Sequence, residues 1–187
     1  MTVLAFDTSG PWVAACLWQD GAAMDTRVEE MSRGQAERLM PLLEEILDAH
    51  SISWADLTTI GVGIGPGNFT GIRIAVSAAR GLGMGLNIPV VGANGFDSRA
   101  LCHPAGTLVA ISAPRDQVYV ADPDPRLVPA LEVPEAVANT LPSDLVEAIA
   151  QHAQTHRHDP NLPAPAPLYV RPADAAPSRD APPVMLD

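Results

Sequence analysis

The first part of the chain consists of short apolar runs separated by polar turns, which is the pattern of a small antiparallel sheet. Apolar runs at 2–7 and 12–19 predict two buried strands. The Asp20-Gly21 pair between the second run and the next predicts a hairpin turn, and 22–29 predicts the returning third strand. The N-terminus is therefore predicted to be a three-stranded meander whose first strand ends in an acid.

A helix-period pattern follows the meander and predicts a helix over 32–48. Ser32 and Gln35 have the spacing of a capping box, which predicts that Ser32 starts the helix. Pro41 lies inside the pattern, removes one backbone donor and predicts a kink. The apolar stripe comprises Ala36, Leu39, Met40, Leu43, Ile46 and Leu47.

Four further elements are predicted before residue 100. They are a strand at 58–64, a turn at 65–68, a helix at 69–86 and a strand at 88–91. Three strands, helix, strand, helix, strand is the order of the ribonuclease-H-like fold, which actin, sugar kinases and Hsp70 chaperones share. We therefore expect an α/β protein with an actin-like (ribonuclease-H-like) N-terminal lobe, a mixed sheet with helices, over residues 1–104.

Proline separates this regular part from the rest, because four of the 19 prolines lie in the first hundred residues and the other 15 follow. Residues 105–159 predict a reduced second lobe, with a hairpin of 107–112 and 117–121 and a serine-capped helix over 143–154. Residues 160–187 predict an extended, proline-rich tail.

Composition narrows the function. The 11 basic residues are all Arg, so no P-loop lysine or Schiff-base lysine exists. A formal net charge of -11 argues against RNA binding by the chain alone, although not within a larger complex. Cys16 and Cys102 form no metal or redox motif. We find no signal peptide and no membrane span, and we expect a cytoplasmic protein without a metal of its own.

Two segments carry candidate phosphate chemistry. Asp7, Thr8 and Ser9 follow the first strand directly; they either lie near a nucleotide or close the hairpin turn, and the short motif slightly favours the turn. The turn Gly65–Gly71 includes Gly67 and Asn68 and precedes a helix N-terminus. A phosphate site and a tight strand-to-helix turn are equally compatible with it.

The second long helix carries a stripe of small residues, Gly71, Ala75 and Ala79, spaced by four. Such a stripe permits close packing of another helix. We expect it to contact a helix from another chain, with Leu39 and Leu43 contributing from the first helix. The alternative is packing against the sheet of the same chain.

Four segments together resemble the TsaB family. They are FDTS (Phe6–Ser9), QAERLMPLLEEIL (Gln35–Leu47), GVGIGPGNFTGIRIAVSAARGL (Gly61–Leu82) and PLYVRPADA (Pro167–Ala175). The third is the specific one, since the family carries G-P-G-S-F-T-G-[LI]-R-[IV] there and this chain differs by Asn68 in place of Ser. The likeness covers residues 1–100 and returns at the C-terminus.

The resemblance implies a non-catalytic, actin-like paralogue of TsaD, the enzyme that transfers a threonylcarbamoyl group to the adenosine beside the anticodon of tRNA. Such a subunit pairs with TsaD through its two N-terminal-lobe helices and activates it. The pair recruits the ATPase TsaE, and tRNA is bound only within the complex. The metal-binding His-x-x-x-His of TsaD is replaced here by a stretch that includes Gln35 and Leu39 and contains no His.

Several points stay open at this level. The chain has no expected cofactor of its own, while ATP or ADP at the interface with TsaD is an alternative. A homodimer of the chain in the absence of TsaD is a further alternative. The rival function is a small-molecule kinase of the same fold, which needs a complete second lobe. Residues 105–187 are short and proline-rich for that purpose.

Overall fold

The computed structural model describes residues 1–137 and 140–170. The strands are β1 (Thr2–Asp7), β2 (Trp12–Gln19), β3 (Ala22–Glu30), β4 (Thr59–Gly63), β5 (Val90–Ala93), β6 (Ala110–Ala113), β7 (Gln117–Ala121) and β8 (Pro125–Pro129). The α-helices are α1 (Gln35–Ala49), α2 (Phe69–Leu86), α3 (Gly95–Ala100) and α4 (Pro142–His156). Short 3-10 turns lie at Trp54–Asp56 and Ala130–Glu132. No helix of these two described ranges has the length and hydropathy to cross a membrane.

A five-stranded mixed sheet forms the centre of the molecule, with strand order β3-β2-β1-β4-β5. The meander β1-β2-β3 is antiparallel, whereas β4 pairs parallel to β1 and β5 pairs parallel to β4. Parallel neighbours require a crossover, which α2 supplies between β4 and β5. This order and these directions confirm the predicted α/β, ribonuclease-H-like architecture.

Helices cover both faces of the large sheet. α1 and α2 bury one face in an apolar core that includes Leu4, Phe6, Ile60 and Val62. α4 packs on the opposite face, where small side chains such as Ala5 and Ala14 let the helix approach closely. At Gly61, an added Cβ would lie 3.0 Å from the Ala153 side chain and 3.2 Å from that of Ile149. Glycine at position 61 therefore favours the close contact between β4 and α4.

The predicted boundary between two lobes at residues 104 and 105 needs correction. The second sheet, β6-β7-β8, is separate from the first, as a second lobe requires. α4, however, was assigned to that lobe, and it packs against β1, β2, β4 and β5. Its apolar face matches the exposed side of the large sheet, which would otherwise present its apolar residues to water. The second lobe is therefore only the small sheet and its connections.

The starts of α1 and α4 differ from those predicted from the sequence. α1 begins after Gly34, which has a φ of 83° and provides no side-chain cap, so Ser32 is not the capping residue. α4 begins at Pro142, which fits the first helical position because that position needs no amide donor. α1 continues through Pro41 as one element from Gln35 to Ala49.

The residues predicted to contact a partner are buried in this chain's own core. Leu39, Leu43, Ala75 and Ala79 are at most 1% exposed, and all four belong to the core between the sheet and α1 and α2. A Cβ on Gly71 would lie 1.8 Å from the Thr8 carbonyl oxygen. The prediction of direct partner contact by these five residues is wrong, since the stripe serves close packing of α2 on the sheet.

The opposite face of α2 is open. Ser77, Gly81 and Met84 are exposed, and Met84 has 84% of its surface accessible. A Cβ built on Gly81 or Gly85 meets no atom within 4 Å. Glycine in a helix interior costs about 1 kcal/mol relative to Ala. Nothing in the fold requires either glycine to lack a side chain.

Two elements have no counterpart in the sequence prediction. α3 has only six residues, and β8 begins and ends with proline, which argues against a strand. Part of the predicted tail returns to the large sheet, where the Leu168 amide donates to the Ile64 carbonyl at 2.7 Å. The remainder of that tail, residues 171–187, lies outside the described residues.

Candidate functional site

The turn after β1 is held by the carboxylate of Asp7, which is 2% exposed. Its Oδ1 accepts hydrogen bonds from the Ser9 amide at 3.0 Å, the Ser9 hydroxyl at 2.8 Å and the Trp12 indole at 3.0 Å. Three donors on one oxygen stabilise a buried carboxylate and fix the turn. Asp7 and Ser9 thus have the turn-closing role that the sequence slightly favoured.

The glycine turn between β4 and α2 packs directly on this β1–β2 turn. The Asn68 amide donates to the Ser9 carbonyl at 2.6 Å, and the Thr8 hydroxyl donates to the Gly71 carbonyl at 2.6 Å. A Cβ on Gly67 would lie 2.3 Å from the Ser9 carbonyl oxygen. Glycine is needed here because backbone approaches backbone.

The start of α2 is capped by its own chain. The Asn68 side-chain carbonyl accepts from the Gly71 amide at 2.9 Å, which is a standard N-cap bond. Together with the Asn68 amide bound to Ser9, this engages two of the amides that a phosphate would use. In the described part of the chain, the Phe69 and Thr70 amides are left without a hydrogen-bond acceptor.

Gln35, the first residue of α1, holds the β1–β2 turn through hydrogen bonds. Its side-chain amide donates to the carbonyls of Gly10 and Trp12, both at 2.7 Å, and lies 3.4 Å from that of Thr8. The residue is 7% exposed. Gln35 therefore connects α1 to the β1–β2 turn, a role that neither the capping-box spacing nor its place in the stretch without His indicated.

A cleft of about 980 Å³ opens between the two turns and the small sheet. Ser9, Gly67 and Asn68 form one wall, and β6 and β7 contribute Ile111 and Tyr119 to the other. The aromatic side chains of Trp12, Phe69 and Tyr169 also line it. The size is typical of a small-molecule site, with apolar walls and a few polar groups.

Arg99 is the charged group of this cleft, and sequence reasoning missed it. Arg99 is only 5% exposed, lines the cleft, and donates from Nη1 to the Gly95 carbonyl at 3.1 Å. Burial lowers its pKa, and the negative charge of Asp7 partly opposes that shift. A polar residue in a six-residue helix has no periodicity signal, so only the tertiary structure identifies it.

An aromatic cluster borders the cleft on the outside. The rings of Phe69 and Tyr169 stack with centroids 4.7 Å apart. The Arg73 guanidinium lies 3.8 Å above the Phe69 ring, and its Nε donates to the Tyr169 hydroxyl at 2.7 Å. The cluster fixes the returning tail segment to the N-terminal turn of α2.

The structure thus brings the two predicted phosphate-proximal segments together. Thr8 and Ser9 contact the turn that contains Gly67 and Asn68, and Gly65 lies at its start. Asp7 holds Ser9 in place through its carboxylate. Whether a nucleotide binds there stays a prediction. In residues 1–137 and 140–170, no three His, Cys, Asp or Glu side chains lie close enough to hold a metal ion together.

Comparison with known proteins gives a consistent family. The model of "TsaD: tRNA N6-adenosine threonylcarbamoyltransferase" matches residues 28–132, more than half of the chain. The chain is 32% identical to the tRNA threonylcarbamoyladenosine biosynthesis protein TsaB of Escherichia coli over 127 residues, which are 65% of this chain and 54% of that protein. It is 31% identical to the Bacillus subtilis TsaB over 122 residues, 64% of this chain and 53% of that one.

The match to these TsaB proteins spans about half of their length. An uncharacterized protein of Mycobacterium tuberculosis is 33% identical over 200 aligned positions, covering 94% of both chains. Among solved structures, YeaZ from Pseudomonas aeruginosa superposes with a TM-score of 0.70 at 24% identity, covering 90% of this chain and 99% of that one. This likeness agrees with the fold described above.

Proposed function

Because the chain belongs to the TsaB proteins of the TsaD family, we propose that it is a non-catalytic subunit for tRNA threonylcarbamoyladenosine synthesis. In this proposal it pairs with a TsaD enzyme and activates threonylcarbamoyl transfer to the adenosine beside the anticodon. The pair then recruits the ATPase TsaE. The work takes place in the cytoplasm.

The first turn of α1 carries this proposal. A catalytic relative would need metal ligands there, as in the His-x-x-x-His motif of TsaD. Here Gln35 donates to two backbone carbonyls at 2.7 Å, and Leu39 is 1% exposed inside the core. Both side chains are engaged in holding the fold, and neither has the chemistry of a metal ligand that activates a substrate. The structural roles of Gln35 and Leu39 therefore favour a non-catalytic subunit over an enzyme.

The outward faces of α1 and α2 are the surface that we propose for TsaD. On α2, Ser77 and Gly81 are exposed, and the glycine leaves open space where a partner helix can approach closely. On α1, the exposed residues Glu37, Glu44 and Asp48 form an acidic face. The partner surface is therefore expected to combine a close helix contact with basic side chains opposite α1.

The charge of the chain fits the same division of labour. A net charge of -11 repels the tRNA phosphate backbone, so the positive charge for tRNA has to come from other subunits. The proposal accordingly has tRNA bound only in the complex. ATP or ADP at the interface with TsaD would be near the α2 N-terminus, where the Phe69 and Thr70 amides are free to donate.

The Gly81→Arg substitution tests the pairing surface. No atom of this chain lies within 4 Å of a Cβ at Gly81, so the variant should melt at or above the wild-type temperature. It should nevertheless fail to co-elute with TsaD in size-exclusion chromatography. If the isolated chain forms a homodimer through the same face, the variant should also be monomeric.

Gln151→Arg is the matched control, since Gln151 is exposed on α4 on the other side of the sheet. It adds the same charge and should leave pairing unchanged. Normal pairing by Gly81→Arg would contradict the proposed surface. ATP hydrolysis by the purified wild-type chain that disappears in Asp7→Ala would contradict the non-catalytic role and favour a kinase of this fold.

A further inference from the structure

Arg99 is a buried cation whose charge is only partly balanced by the chain. Its single protein hydrogen bond in the described ranges goes from Nη1 to the Gly95 carbonyl. No carboxylate of those ranges lies within 4.0 Å of it, although Asp7 is near enough to act on it through space. A guanidinium has five N–H donors, so most of them are available.

The position of Arg99 is fixed by backbone contacts to the glycine turn. The Gly95 amide donates to the Gly65 carbonyl at 2.8 Å. A Cβ on Gly95 would lie 2.9 Å from that carbonyl and 2.9 Å from Arg99 Nη1. The α3 helix is therefore held against the turn, with the Arg99 side chain folded back over Gly95 and into the cleft.

Arg99 and the start of α2 line the same cleft. Phe69 and Asn68, at the start of that helix, are lining residues together with Arg99. The amide of the lining residue Phe69 lacks an acceptor in the described chain, and the helix dipole gives this end a partial positive charge. A planar guanidinium and a helix N-terminus at one cavity are complementary to the oxygens of a phosphate or a carboxylate.

The other walls of the cleft indicate what kind of molecule would carry the phosphate or carboxylate. Trp12, Phe69, Ile111 and Tyr119 provide aromatic and aliphatic walls, and the volume is about 980 Å³. A bare inorganic ion would leave most of this surface in contact with water. An anion with a planar or apolar body buries it.

We propose that the cleft between the glycine turn and the small sheet is a binding site for a small organic anion, whose phosphate or carboxylate binds Arg99. The site is formed by this chain alone, and it does not depend on pairing with TsaD. The apolar walls select molecules with an aromatic or aliphatic body.

The isolated full-length chain is the material for the test, with adenosine monophosphate as phosphate probe and benzoate as carboxylate probe. Calorimetry should detect binding of at least one of them, and that probe should raise the melting temperature. Binding of the monophosphate alone identifies a phosphate ligand, and binding of benzoate alone identifies a carboxylate. Adenosine and inorganic phosphate should each bind more weakly than the monophosphate. Adenosine lacks the phosphate that binds Arg99, and inorganic phosphate lacks the body that contacts the apolar walls.

Arg99→Gln should weaken binding at least tenfold. Arg80→Gln is the matched control, since Arg80 is exposed on α2 and does not line the cleft, and its affinity should stay within twofold of wild type. Arg99→Lys retains the charge without the planar fork and should also bind more weakly, which gives a readout if Arg99→Gln does not fold. Absence of binding by every oxyanion probe at millimolar concentration, or equal affinity in Arg99→Gln or Arg99→Lys, would overturn the proposal.

Discussion

Replacing Gln35 with Met isolates the contribution of one side-chain amide to the region around the cleft. Methionine has a similar length and volume, so the change removes the donors with little change in packing. The two bonds to the Gly10 and Trp12 carbonyls, both 2.7 Å, are lost. Each net hydrogen bond contributes about 0.5–1.5 kcal/mol, which gives a loss of about 1–3 kcal/mol.

In a chain of this length, 1 kcal/mol changes the melting temperature by about 2–4 °C. A loss of 2 kcal/mol, the middle of the range of about 1–3 kcal/mol, lowers the melting temperature by roughly 4–8 °C. Chemical denaturation followed by circular dichroism gives the free energy directly. Gln151→Met is the control, because Gln151 is exposed on α4 and should change stability by less than about 0.5 kcal/mol.

Gln35→Glu sharpens the same test through pH. A carboxylate at this buried position would face the carbonyl oxygens and lose the donors, so its pKa should rise on folding. Because the folded pKa is raised, the protonated form stabilises the variant at low pH, and stability falls as pH increases through that pKa. If Gln35→Met melts within 1 °C of wild type and Gln35→Glu shows no such pH dependence, Gln35 does not hold the turn.

Three further results are expected. Ala75→Arg should abolish cooperative folding of the isolated chain, since Ala75 is 0% exposed and a buried unpaired charge adds to overpacking; a normal melt would place Ala75 outside the core. The hydrogen bond from Arg27 lowers the pKa of Asp25, so this carboxylate contributes stability that is lost as pH falls through its depressed folded pKa; the stability difference between wild type and Asp25→Asn should therefore shrink between neutral pH and pH 3, and a constant difference would contradict this. Burial raises the pKa of Cys16 to about 12, so in a Cys102→Ser variant a thiol reagent at pH 8 should react only after denaturant is added; fast native labelling would contradict the buried position.

Local patterns predicted the N-terminal half because short-range chemistry determines it. The bounds of β1 and β2 agree with the predicted runs, since continuous apolar runs and an Asp-Gly turn are local signals. The bounds of α2 also agree, because Asn68 caps its start. The start of α1 was misplaced, since Gly34 adopts a left-handed conformation that a serine-based signal does not reveal.

Long-range contacts explain what the sequence could not predict. The stripe Gly71, Ala75 and Ala79 has the same spacing whether it packs on a partner or on its own sheet, and only the tertiary structure decides between the two. No sequence pattern marked Arg99 as a cleft residue, because its burial depends on the contact between α3 and the glycine turn, which lies earlier in the chain. The assignment of α4 to the large sheet likewise depends on contacts between distant segments.

The return of α4 to the large sheet has a consequence for how the chain folds during synthesis. The face of the sheet that includes Ala5, Ala14 and Ala93 stays uncovered until α4 has emerged from the ribosome. A fragment that ends near residue 104 would therefore expose an apolar sheet face and be prone to aggregation. The segment between α3 and α4, which contains the small sheet, is therefore an insertion between two helices that belong to the large-sheet domain. Loops of that kind tolerate changes in length, so shortening or replacing the small sheet should be possible without dismantling the layer on which it rests.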